Sequence, residues 1–191
     1  MKKSSLIIYG LCIWLVVITS VATAQVNQGV YLSMDNYMAN QIIPSNGLCK
    51  IQTNTMFNAN SIWLRVAHKK YKYSKDSIYA YKKEGIIYRC NHWDKRDYKV
   101  MEQGTIIIYA INEPVSGYKN IKLIPHYYFS VNLGSVIIPL SIINIKKAFP
   151  DDIKLHHYLD MEFYQKDITS YNETNSTYQI NYLFQQLNKQ L

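Results

Sequence analysis

Glycine is scarce in this chain and forms no phosphate cradle: the seven glycines in 191 residues make neither a G-x-G-x-x-G fingerprint nor a P-loop, and no serine sits in a G-x-S-x-G elbow. Dinucleotide binding, P-loop phosphoryl transfer and the α/β-hydrolase nucleophile therefore lose their usual sequence carriers, and no cofactor is implied. H-E-x-x-H is absent as well, which removes the helical zinc-peptidase arrangement. Cysteine is limited to Cys12, Cys49 and Cys90, too few for a disulfide-dense scaffold. Acidic side chains are in short supply too, 13 against 21 Lys and Arg.

Long apolar runs are missing except at the start, because residues 136–145 are interrupted by Pro139, Ser141 and Asn144. At the N-terminus Lys2 and Lys3 precede an apolar stretch over 6–18, and Ala22-Thr23-Ala24 supplies a small-x-small cleavage pattern. These features predict a signal peptide over 1–24 and a mature chain from Gln25; the alternative is an uncleaved anchor over 4–24. The remaining 167 residues suit one domain with a single core.

Past Ala24 nineteen basic residues face thirteen acidic ones, formally +6. Such a charge draws a protein towards anionic lipid, acidic glycan or nucleic acid. Export makes nucleic acid the least expected of the three, so the expected partners are an envelope component, a protein or an anionic membrane surface. Localisation is expected to be periplasmic, envelope-associated or secreted. In an oxidising compartment Cys49 and Cys90 are expected to pair. That bridge would close a loop of roughly 40 residues and contribute about 4 kcal/mol.

The hydrophobic period is two over most of the chain and lengthens towards its end. Strands are expected over 29–32, 48–53, 62–67 and 70–73, in hairpins pairing 78–82 with 86–89 and 98–102 with 105–110, and over 127–131. Ser33 is placed to cap a short helix over 34–39. From Ser141 a helix stopped by Pro150 is expected, then one opened by Asp151 or Asp152, then one from about Ser176 with Ile180, Leu183, Phe184 and Leu187 on one stripe. The fold class is α+β: an antiparallel sheet in the first two-thirds, followed by about three packed C-terminal helices.

Several constellations have the residue types that chemistry requires. His156, His157 and Asp160 can share one helix face, although a metal would need a further ligand such as His92 or His126. His92, Trp93 and Asp94 lie together in a loop where Trp93 could stack on a sugar or a partner side chain. Cys90 with His92 would make a nucleophile and base at period two. A hydrolase site gathered from His92, Asp94, His126, His156 or Asp160 is the enzymatic alternative to a non-catalytic binding protein. Residues 69–75 alternate Lys and Tyr, so an extended chain segregates cations from rings, as suits an edge strand protected by lysine.

Three pieces carry a resemblance: Gly29-Val30-Tyr31-Leu32-Ser33-Met34-Asp35-Asn36-Tyr37; Ile78-Tyr79-Ala80-Tyr81 with Ile86-Ile87-Tyr88-Arg89; and Tyr127-Tyr128-Phe129-Ser130 followed by residues 140–149. On these the chain resembles a group of uncharacterised exported bacterial β-rich proteins of similar length, with Asn36 standing where an acidic residue is expected. The resemblance implies a secreted or cell-envelope protein and supplies no activity or site residue.

Overall fold

The computed structural model describes residues 28–44, 49–53, 60–116 and 121–189. The expected signal peptide and most of the expected loop over 54–60 lie outside them. In chain order the elements are β1 (Gly29–Tyr31), α1 (Met34–Met38), β2 (Cys49–Thr53), β3 (Ser61–Val66), β4 (Lys69–Ser74), a 3-10 turn (Lys75–Ser77), β5 (Ala80–Lys83) and β6 (Ile86–Cys90). There follow β7 (Asp97–Gln103), β8 (Ile107–Ser116), β9 (Ile121–Ser130), β10 (Ile138–Pro139), α2 (Ile142–Ala148), α3 (Ile153–Glu162), β11 (Tyr171–Asn172), β12 (Thr177–Tyr178) and α4 (Gln179–Asn188). The class is α+β, mostly antiparallel sheet with helices at the end. No helix among the described residues is long and apolar enough to cross a membrane.

Among the described residues the strands expected to form one sheet divide between two, and β11 and β12 pair separately. Seven strands run in the order β1-β5-β6-β7-β8-β9-β10, and β2-β3-β4 form a separate three-stranded sheet. The division follows from pairing: Val30 opposes Tyr81 and Tyr31 opposes Ala80, so β1 and β5 are direct neighbours and the intervening strands cannot enter between them. Instead Ile51, Ile62 and Leu64 of the small sheet pack on Val30, Ile78, Tyr81 and Cys90. Directly opposed residues share a face, and the registers put Val30, Tyr81, Tyr88, Ala110 and Tyr127 on one side of the large sheet. That side is covered at one end by the small sheet. At the other, Ile106, Ile108 and Phe129 meet Ile145, Leu155, Leu159, Ile180 and Leu183.

Local signals set the helix starts. Ser141 accepts from the Asn144 amide at 3.2 Å and Asp152 from the Leu155 amide at 2.8 Å, each satisfying a first-turn N–H. The last helix departs from expectation: Ser176 lies in the β11–β12 turn at φ 50°, and α4 begins at Gln179 without a side-chain cap. Glu102 of β7 is the reason. Its carboxylate accepts from Thr177 Oγ1 at 2.5 Å, the Tyr178 amide at 2.7 Å and Asn181 Nδ2 at 2.9 Å. Asn181, fully buried, also bonds the amide and carbonyl of Ile106, both at 3.1 Å. Gly104 makes room for it, since a Cβ there would stand 2.5 Å from the Asn181 amide group.

β8 and β9 also run further than expected, pairing from Ile107↔Ser130 out to Ser116↔Ile121. Pro114 and Pro125 argue against strand in the sequence. Each lies beyond the last pair with β7 or β10, where its strand has a single neighbour and a missing N–H is tolerated.

Candidate anion-binding face

The outer surface of the small sheet carries an arrangement that no single segment of the sequence displays. With Ile51, Ile62 and Leu64 turned inward, the alternation of β-structure turns Lys50, Gln52, Trp63, Arg65, Lys70 and Lys72 outward, and all six are exposed. Register lines them up in two rows. Lys50 opposes Arg65, which opposes Lys70; Gln52 opposes Trp63, which opposes Lys72. Neighbouring strands lie about 4.8 Å apart, so each row spans roughly 10 Å. The Lys72 ammonium lies 5.7 Å from the centre of the Trp63 ring, and Trp63 is 41% exposed.

No acidic side chain answers these four cations. All thirteen acidic residues of the chain lie among the described residues, and none forms an ion pair with Lys50, Arg65, Lys70 or Lys72. Like charges directly opposed across strands oppose folding, by roughly 1 kcal/mol or less per pair in water. Edge protection accounts for Lys70 and Lys72, because β4 is an edge strand. It does not account for Arg65, which stands on the central strand between two lysines.

This arrangement revises the expectation drawn from residues 69–75. Within β4 the side chains alternate, Tyr71 opposite Leu64 and Lys72 opposite Trp63, but Tyr71 is 45% exposed and only Tyr73 joins the buried cluster. The ring that joins the cations comes from β3, so rings and cations do share a surface. A strand-by-strand pattern cannot reveal a partner on the neighbouring strand.

A buried ion pair fixes this sheet on its support. Lys75, at 3% exposure, reaches Asp97 Oδ2 at 2.8 Å, and Asp97 also accepts from the Tyr81 hydroxyl at 3.1 Å. The 3-10 turn leaving β4 is thereby tied to the start of β7. Gln28 adds a second tie, its side-chain oxygen accepting from the Ile51 amide at 3.1 Å.

Cys49 and Cys90 are free thiols in this structure, both packed in the cluster between the two sheets. Burial, followed by the Asp97 charge, pushes the Cys90 thiol far above its ordinary value, so it stays protonated and a poor nucleophile. His92 does not reach it. It lies exposed beyond the end of β6, with Nδ1 at 3.9 Å from Asp76.

The loop over 91–96 is held from several sides. The Asn91 amide donates to the Arg96 carbonyl and the Lys95 amide to the Asn91 carbonyl, both at 3.0 Å. Asp94 accepts from the Arg96 amide at 3.0 Å and the Tyr98 hydroxyl at 2.5 Å. Lys75 Nζ donates to the Lys95 carbonyl at 3.3 Å, and the Lys95 ammonium pairs with Asp76. The Asn60 amide and that ammonium hold the Asp76 carboxyl below its ordinary range. Trp93 at the tip is 87% exposed.

The other sequence candidates are dispersed. His156 Nε2 is 2.8 Å from the Phe149 carbonyl, Asp160 pairs with Lys146 at 2.6 Å, and His157 stands edge-on to Tyr158. His126 lies 3.9 Å from Glu113 and lines a shallow cleft with Tyr128, Pro139, Asp167 and Thr169. No two of His92, Asp94, His126, His156 and Asp160 bond to one another, and no group of three metal-ligating side chains converges among the described residues.

Arg89, which the sequence did not single out, is a cation without an acidic side chain as well. It donates to the Tyr109 hydroxyl at 2.9 Å, Ser130 Oγ at 3.2 Å and the Ser135 carbonyl at 2.9 Å, and lies over the Tyr79 and Tyr109 rings. The adjoining crevice, lined by Tyr37, Tyr79, Ile87, Val100 and Leu133, leaves no room for even a water molecule. Neutral oxygens already use this guanidinium, whereas the cations of the small sheet face open solvent. No protein-family model, curated protein or solved structure matches the chain, so its candidate site rests on its own geometry.

Proposed function

We propose that this chain is an exported, non-catalytic binding protein that docks on anionic phospholipid surfaces through the outer face of β2-β3-β4. The observation that carries this reading is Arg65, set on a central strand between Lys50 and Lys70 with no acidic side chain in reach. A row that works against its own sheet has its counter-charges on another molecule. The cations spread over two rows and three strands, which suits a planar array of phosphates better than a single linear strand. Trp63 on the same face adds the amphipathic ring that favours the membrane–water interface. The basic, apolar and small-residue order of residues 1–24 supports export to a compartment bounded by such surfaces.

Each cation near an anionic bilayer contributes about 1 kcal/mol, so four together favour the bound state about a thousandfold. Co-sedimentation with vesicles tests this. The protein is expected to pellet with phosphatidylglycerol-containing vesicles at about 0.1 M salt, to be released at about 1 M, where the screening length falls to about 3 Å, and to ignore neutral phosphatidylcholine. Equal binding to both lipids, or binding that salt leaves unchanged, would overturn the proposal.

A further inference from the structure

Trp93 is the most exposed large apolar side chain among the described residues, at 87%, yet the loop beneath it is tightly specified. Two backbone bonds close the loop, Asp94 clamps it to Tyr98, and the Trp93 amide itself donates to Asn91 Oδ1 at 3.3 Å. Lys95 adopts a left-handed backbone, φ 59°, which a non-glycine residue takes up only when its surroundings impose it. None of these ties touches the indole. Ordering a loop costs roughly 1–2 kcal/mol per residue in backbone entropy, and here the order holds a ring in water.

The position of the loop is informative. Lys95 pairs with Asp76, and Asp76 follows the end of β4 by two residues. Ser61 opposes Ser74 at that end, so the nearer of the two outward rows is Gln52-Trp63-Lys72. The loop that carries Trp93 is thus tied to the end of the basic sheet, with His92 and Lys95 close to Trp93 along the chain.

We infer that Trp93 is an interfacial anchor: once the cations of the small sheet have drawn the protein to an anionic bilayer, the indole enters the headgroup region and sets the residence of the complex. The inference rests on the docking reading above and adds to it a contact with lipid itself rather than with charge alone. Indole is suited to this because its rings are apolar while its N–H can still donate at the headgroup level.

Pelleting is read on the parent chain, purified from cells expressing the whole sequence, and fluorescence on a Trp14→Phe, Trp63→Tyr variant in which Trp93 is the only indole. Vesicles of phosphatidylglycerol and phosphatidylcholine, with and without brominated acyl chains, are the probe. Trp93 emission is expected to shift to the blue on binding and to be quenched by the brominated lipid, and Trp93→Ala in the parent chain to weaken binding about tenfold. Because the ring has no packing role, that variant should keep the parent's melting temperature, and a fall would overturn the inference. Salt-sensitive pelleting with Trp93 still in water and Trp93→Ala binding like the parent would overturn the anchor while leaving the docking face intact. Absence of pelleting, or capture by a sulfated polysaccharide in place of vesicles, would overturn both.

Discussion

The inner and outer sides of the layers that cover the large sheet treat charge in opposite ways. Under the helices, Glu102 is answered three times, by Thr177, the Tyr178 amide and Asn181. Beneath the small sheet, Lys75 is answered by Asp97. On the outer face of that same small sheet, Lys50, Arg65, Lys70 and Lys72 are answered by no acidic side chain. Lys75 is buried and paired and Glu102 half-buried and hydrogen-bonded, whereas the four cations of the small sheet are open and unpaired, and on that contrast the docking proposal rests. Arg89 marks the boundary between the two, since neutral oxygens and rings satisfy it inside the molecule.

The comparison breaks most visibly at the buried pair. Lys75→Met leaves Asp97 without its cation and should destabilise the protein by about 3–5 kcal/mol, lowering the melting temperature by about 10 °C. Thermal unfolding checks it, and adding Asp97→Leu should restore most of the loss, because a missing pair costs less than a broken one.

Glu102→Gln comes next. An amide cannot accept from all three of its donors, so a buried donor is left unmet at about 1–3 kcal/mol. Hydrogen exchange should show the loss first at Thr177, Tyr178 and the start of α4.

Alkaline pH separates buried groups from open ones more gently. Burial raises the Cys90 thiol and the Tyr81, Tyr98 and Tyr178 hydroxyls above their ordinary values of 9.0 and 10.0. Groups raised in the folded state favour folding below those values, and the contribution is lost as pH rises past them. Stability should therefore decline from pH 9 upward, as melting temperatures across that range would report. Asp76 has the opposite sign: its lowered carboxyl helps the loop over 91–96 above its ordinary 3.8 and ceases to help as pH falls through its folded value.

The sequence revealed the elements better than their arrangement. Ser33, Ser141 and Asp152 announce helix starts that the structure keeps, because a cap is a contact within three residues. The hairpin of β5 and β6 is equally local, with Glu84 and Gly85 both at positive φ in its turn. The outer strands of β8 and β9 were hidden by Pro114 and Pro125, whose effect depends on how many neighbours a strand has. The split into two sheets was hidden because it depends on β1 choosing β5.

The basic face was hidden for the same reason. Its Lys and Tyr alternation was plain in β4, but Arg65 and Trp63 join it only through register. The loop carrying Trp93 was visible as a cluster of residue types; its ties to Asp76 and Lys75 were not.

Arg65 decides the matter most directly, because fold and ligand pull it in opposite directions. In Arg65→Gln, thermal stability and affinity for phosphatidylglycerol vesicles should be measured on the same preparation. Stability is expected to hold or rise by up to about 1 kcal/mol as the like-charge row is relieved, while affinity falls about fivefold. A loss of stability with affinity unchanged would mean that the row serves the sheet, and would contradict the account.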